Sequence, residues 1–138
     1  MTYINPYISF NGKCREAMTF YKECIGGELS IQTIGESPMA GKMPNASDSD
    51  VMHSSLMKDG KALLLASDMG PDNLEVGNVL SITLNCDSEQ EIRLVFEKLS
   101  QGGTVKSELQ EQFWGAIYGE VFDKYGIKWL LNYQKVKQ

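Results

Sequence analysis

Two stretches of this 138-residue chain carry the same signal 76 positions apart. Phe20-Tyr21 is followed by Gly26-Gly27, and Phe96-Glu97 is followed by Gly102-Gly103. Each glycine pair closes a stretch with helical spacing of apolar residues. Each stretch is preceded by one alternating segment and followed by three. The chain therefore reads as βαβββ written twice, and a repeat of this length predicts two stacked copies of one unit. A second match, Asp59-Gly60 with Tyr125-Gly126, lies 66 positions apart. The step from 76 to 66 puts about ten extra residues in the first module, in the Pro-, Gly-, Ser- and Asp-rich stretch Ser37 to Asp50. The expected architecture is α+β, one domain of two modules at about 1–75 and 76–138.

The first helix is carried by Cys14, Ala17, Met18, Tyr21 and Ile25, the second by Ile92, Val95, Phe96 and Leu99. Asp87 or Ser88 caps the second, and Glu91 completes a capping box if Ser88 is the cap. Asp59-Gly60 is a strong hairpin turn. Asp68 and Asp123 read as turn-fixing residues, and the charges Glu89, Glu91, Arg93, Glu97 and Lys98 as a solvated helix face.

Charge and composition narrow the partners. A net charge of -5 argues against nucleic acid, whose phosphates need a basic surface. No run of about 18 apolar residues exists, so no membrane partner is expected. The first residues, MTYINPYISFNG, do not read as a signal peptide. Three cysteines without CxxC spacing, Cys14, Cys24 and Cys86, read as structural thiols of a reducing compartment, which places the protein in the cytoplasm. His53 is the only histidine. It allows neither a spacing-defined Cys–His pair nor a histidine metal cluster.

The segments YISFNGKCREAMTFYKECIGGEL, MHSSL, LLLASD and FWGAIYGEVFDKYGIKW resemble the PhnB-like branch of the vicinal-oxygen-chelate superfamily. That superfamily includes glyoxalase I, bleomycin-resistance proteins and extradiol dioxygenases. The resemblance spans nearly the whole chain. It implies a glyoxalase-like fold in which curved mixed sheets form a concave cleft, in a homodimer that takes a small-molecule ligand. Some family members carry a demethylubiquinone-methyltransferase label, but no Gly-rich nucleotide loop follows the first strand here.

In metal-using relatives the ligands come from the first and last strand of each module. By the resemblance these positions fall at Asn5 (Pro6 if the alignment slips), Ser81, Leu64 and Leu130. None is a strong ligand for a divalent ion, so no metal and no cofactor is expected.

Strand alternation and turn parity then select the cleft face. They predict that Asn5, Tyr7, Ser9, Ser81, Thr83 and Asn85 face the cleft, together with Leu64, Leu130, Lys128 and Asn132. They put His53 on the face of Leu64, and Gly119 at the equivalent place in the second module. Glu120 falls on the helix-facing side with Trp129 and is discounted. His53 is the acid–base candidate. Tyr7, Ser9, Ser81, Thr83, Trp114 and Tyr118 are the ligand-contact candidates. Two functions follow: a metal-free enzyme acting on a small, partly apolar molecule, or a protein that sequesters a ligand without catalysis. A titratable partner within hydrogen-bond reach of His53 favours the first.

Overall fold

The computed structural model describes residues 2–135. The chain divides into two compact units, one running up to Glu75 and one starting at Val76. The first contains β1 (Tyr7–Ser9), α1 (Cys14–Ile25), β2 (Glu28–Thr33), β3 (Val51–Lys58) and β4 (Lys61–Ser67). The second contains β5 (Ile82–Asn85), α2 (Glu89–Ser100), β6 (Thr104–Glu111), β7 (Ala116–Phe122) and β8 (Lys128–Gln134). Each is a four-stranded mixed sheet, ordered β1-β4-β3-β2 and β5-β8-β7-β6. In each, the first strand is parallel to the last and the other pairs are antiparallel. The twofold βαβββ reading is the architecture observed.

Each helix packs across three strands of its own sheet: α1 on β2, β3 and β4, and α2 on β6, β7 and β8. The apolar stripes explain this. Cys14, Ala17, Met18, Tyr21, Cys24 and Ile25 are buried on α1, and Ile92, Val95, Phe96 and Leu99 on α2. The helix starts are solved differently. Ser88 caps α2, its hydroxyl accepting from Glu91 N at 3.0 Å, while the Glu91 carboxylate accepts from Asp87 N at 2.7 Å. No side chain of its own caps α1. Its first turn is served by Asp68 at the end of β4, whose Oδ1 accepts from Gly12 N and Cys14 N, while Oδ2 accepts from Val51 N. One carboxylate thus ties the entry of α1 to β3, where the positive end of the helix dipole favours it.

The Ser37–Asp50 stretch is an insertion between β2 and β3, as expected. A short 3-10 turn, Ile34–Glu36, leads into it. Asp48 then folds it back, its backbone oxygen accepting from Gly35 N and its Oδ1 from Gly41 N. All three cysteines are buried and none is in a disulfide. Burial pushes the Cys14 thiol up to about 11, so it stays protonated at neutral pH and is no nucleophile.

Two hairpins depart from the expected register, and both departures reverse side-chain faces. The β3–β4 hairpin does have a two-residue turn, with Lys58 opposite Lys61. Asp59 (φ 53°) and Gly60 (φ 79°) both take the left-handed conformation such a turn needs. But Met57 pairs with Ala62 and Leu56 with Leu64, so Leu63 is an extra residue in β4. This bulge shifts the register by one beyond the turn. In the second unit, β7 and β8 are joined by five residues, 123–127, rather than by a two-residue turn at Tyr125-Gly126. Glu120 therefore pairs with Leu130, where a two-residue turn would have set it across from Leu131.

Candidate functional site

In the first unit, the face under α1 carries Ser54, Leu56, Leu64 and Ala66, all buried. Leu56 pairs with Leu64 and Ser54 with Ala66, and the Ser54 hydroxyl lies 3.3 Å from Cys14 Sγ on α1. Leu64 is thus on the helix side, not in the cleft; the extra Leu63 turned it over. The residue on the opposite face is Leu65, which lies between Tyr7 of β1 and Ser55 of β3. His53 alternates with Ser54 onto that same face and is exposed. Its ring centroid is 6.3 Å from that of Tyr7, with the planes tilted by 32°. His53 and Tyr7 are therefore brought together on the face away from the helix, but not on the face of Leu64. Tyr7 is 54 % exposed. Ser9 alternates onto the same side, close beneath Gly70, where a Cβ would sit 2.7 Å from Ser9 Cβ. Asn5 spends its side-chain amide on Ala62 O at 2.8 Å, so it acts as a strand clasp.

The second unit repeats the plan with other side chains. The helix-facing set is Trp129 and Leu131 of β8 with Val121 and Gly119 of β7. Gly119 is there because nothing larger fits. A Cβ on it would meet Leu109 Cδ2 at 2.8 Å and Phe96 Cε1 at 2.9 Å. It is packing space on the helix side, not a cleft position. The opposite face carries Thr83 and Asn85 of β5, Lys128, Leu130 and Asn132 of β8, and Tyr118 and Glu120 of β7. Thr83 stands beside Leu130 as Tyr7 stands beside Leu65, so the modules correspond at an offset of 65 in the last strands. Leu65, not Leu64, is the counterpart of Leu130, and His53 corresponds to Tyr118.

Glu120 is the residue that sequence reasoning discarded. Its Oε2 accepts a hydrogen bond from the Tyr118 hydroxyl at 3.1 Å, and its Oε1 pairs with Lys128 Nζ at 3.4 Å. The side chains of Lys128 and Glu120 are 24 % and 22 % exposed. Burial, with the bond and charge of Glu120, raises the Tyr118 phenol above its ordinary pKa, so it remains a donor at neutral pH. Lys128 also lies over the Phe122 ring, 5.9 Å from its centroid. Its signal in the sequence was the spacing Tyr118-x-Glu120, which puts both side chains on one strand face. Beside this network, Asn132 Nδ2 reaches Asn85 Oδ1 at 3.4 Å.

The other candidates lie apart from these contacts. Ser81 is exposed just before β5. Trp114, 48 % exposed, sits in the β6–β7 connection with its ring edge-to-face against Phe113, centroids 5.0 Å apart. Asp123 accepts from Tyr125 N, Ile127 N and Trp129 Nε1 at 2.8–3.0 Å, which makes it the clasp of the β7–β8 loop. The donor set does not fit the superfamily's divalent metal. The paired last-strand positions are Leu65 and Leu130, and the first-strand positions beside them are Tyr7 and Thr83. Among the described residues no three His, Cys, Asp or Glu side chains converge.

Comparison with known proteins agrees with this fold. The model of the family described as 3-demethylubiquinone-9 3-methyltransferase matches residues 2–132. Protein YjdN of Escherichia coli K12 is 27 % identical over 96 % of this chain and 95 % of its own length. The crystal structure of PA1353 from Pseudomonas aeruginosa superposes with a TM-score of 0.83 at 36 % identity, covering 97 % of this chain and 98 % of that one. The PhnB protein of Bacillus cereus, a putative 3-demethylubiquinone-9 3-methyltransferase, superposes with a TM-score of 0.76 at 26 % identity, covering 96 % and 99 %. A glyoxalase/bleomycin resistance protein/dioxygenase family enzyme from Burkholderia phytofirmans shares the fold, with a TM-score of 0.63 at 11 % identity over 94 % and 96 % of the two chains. This chain therefore belongs to the PhnB-like family, whose model bears the 3-demethylubiquinone-9 3-methyltransferase description, and it shares its fold with the glyoxalase/bleomycin resistance protein/dioxygenase enzyme.

Proposed function

We propose that this protein binds a small, partly apolar molecule without the superfamily's metal, using the sheet faces that lie away from the helices. The observation that carries this is the make-up of those faces. Each presents part-exposed polar and aromatic side chains around one central leucine, Leu65 or Leu130. Polar groups that converge around an apolar floor are the usual chemistry of a ligand site. Tyr7, Ser9, Ser81, Thr83, Trp114 and Tyr118 are the proposed contacts, and His53 is the proposed acid–base group. Methyl transfer is not part of this reading, because β1 leads through Asn11-Gly12 directly into α1 rather than into a glycine-rich nucleotide loop.

One observation favours sequestration over catalysis. Among the described residues, the His53 ring lies beside the Tyr7 ring, and no titratable group is hydrogen-bonded to it. A lone imidazole is a thin catalytic set. Native mass spectrometry of protein isolated from its own host tests the reading. A retained small molecule and no stoichiometric metal are expected. Protein with no bound molecule, or with one transition metal per chain, counts against it. His53→Gln keeps the shape and removes the titration. Equal retention of the molecule by the variant assigns His53 a structural role; loss of retention with an unchanged fold assigns it to the site.

Assembly as a symmetric homodimer belongs to the same proposal. Phe113 is 97 % exposed, and Val79 and Leu80 are nearly as open, apolar side chains that a contact with a second copy would cover. Light scattering at micromolar concentration is expected to give the mass of two chains; one chain's mass refutes the dimer.

A further inference from the structure

We infer that the Tyr118–Glu120–Lys128 network anchors the ligand in the second unit, and that it selects an uncharged polar group with a donor beside an acceptor, such as a carboxamide. The inference rests on the reading that the faces away from the helices bind a small molecule. It adds the residues and the ligand chemistry.

The argument begins with what the network costs. An exposed ion pair contributes little to stability, and withdrawing a pair from water removes much of that gain. Glu120 and Lys128 are three-quarters withdrawn. Fold stability alone therefore gives little reason to keep them here. What they retain is unused hydrogen-bonding capacity. An ionised carboxylate offers about four acceptor sites, and Glu120 uses one oxygen for Tyr118 and the other for Lys128. An ammonium group has three donors, and Lys128 points one at Glu120. The Tyr118 bond fixes the plane of the carboxylate, and the Phe122 ring lies beneath the ammonium.

The spare acceptor and the spare donor lie side by side, with 3.4 Å between Oε1 and Nζ. A single carboxamide edge spans that pair, its N–H donating to Glu120 and its C=O accepting from Lys128. The pair has no net charge. An anion would meet Glu120 and a cation would meet Lys128, so each gains one contact and one repulsion. Leu130, the register partner of Glu120, supplies apolar floor, with Thr83 across from it on β5 and Asn132 two residues further along β8.

The test is an amide-resolved NMR titration of the full chain with acetamide, sodium acetate and methylammonium chloride at equal ionic strength. Acetamide is expected to shift the Thr83, Tyr118, Glu120, Lys128 and Asn132 amides saturably, and about tenfold more tightly than either ion. Glu120→Gln is expected to weaken acetamide and improve acetate, since it leaves Lys128 unopposed. Lys128→Met is expected to weaken acetamide and improve methylammonium. Tyr118→Phe, which keeps the ring and removes only the bond to Glu120, is expected to weaken acetamide without changing the order of preference. It also provides a reading if either charge variant loses its dispersed spectrum. Tighter binding of acetate or methylammonium by the parent protein overturns the inference, as does any titration in which these five amides do not saturate. Failure to retain a molecule from the host would count against the functional reading while leaving this ranking intact.

Discussion

Asp123→Ala is expected to lower the unfolding free energy by about 4 kcal/mol, the largest loss for any single polar side chain in the second unit. Asp123 is 3 % exposed. Its Oδ1 accepts from Tyr125 N and Ile127 N, and its Oδ2 accepts from the indole Nε1 of Trp129 at 2.9 Å. Alanine leaves all three donors without that acceptor, and the Trp129 ring is itself 1 % exposed. The odd-length β7–β8 loop also loses the group that holds its shape. Asp123→Asn keeps a carbonyl for the two backbone donors but sets an NH2 against the indole N–H. About half the loss is expected. Trp129→Phe removes the indole donor while the carboxylate keeps its backbone partners. Chemical denaturation of the three variants checks the order. If Asp123→Ala unfolds at the parent's denaturant concentration, the clasp contributes nothing and this account of the loop is wrong.

Gly27→Ala is expected to cost about 3 kcal/mol, equivalent to a fall of roughly 10 °C in Tm for a chain of this size. Gly27 has φ +101°, and a Cβ there would lie 2.4 Å from Met57 O. Both the conformation and the space exclude a side chain, because β2 leaves the end of α1 directly against the backbone of β3. Gly60 is the control. It also has positive φ, at +79°, but a Cβ there meets nothing within 4 Å. Gly60→Ala should lose only the conformational part, about 1 kcal/mol. Gly103, 76 positions after Gly27, repeats the crowding without the positive φ, with a Cβ position 2.1 Å from Phe122 O. Scanning calorimetry of the Gly27 and Gly60 variants separates crowding from conformation. Equal shifts would mean that the contact with β3 relaxes at no cost.

That repeat of glycines marks what the amino-acid sequence determines by itself. The helical period of α1 and α2, the glycine pairs that end them, the Ser88 cap and the Asp59-Gly60 turn are all local. Each depends on residues a few positions apart, and the helical period and the glycine pairs occur in both halves. From them the βαβββ order, the insertion before β3 and the turn role of Asp123 are legible, whereas Asp68 turned out to serve the entry of α1. Which residue faces which way was decided only in the tertiary structure. Strand side chains alternate with a period of two, so one unpaired residue reverses every face beyond it. Leu63 is such a residue in β4, and no residue type announces it. It turned Leu64 under α1 and brought Leu65 to the face away from the helix. An odd loop of five residues did the same in the second unit, moving Glu120 from beside Trp129 to the face of Leu130. His53 lies on the side away from the helix through the alternation of β3 itself, where Ser54 and Leu56 point inward, and the bulge only parted it from the face of Leu64. Bulge placement and loop length follow from how each sheet fits its helix, a long-range packing balance in which near-equal local alternatives are separated by contacts such as Leu56 with Leu64 and Asp123 with Trp129.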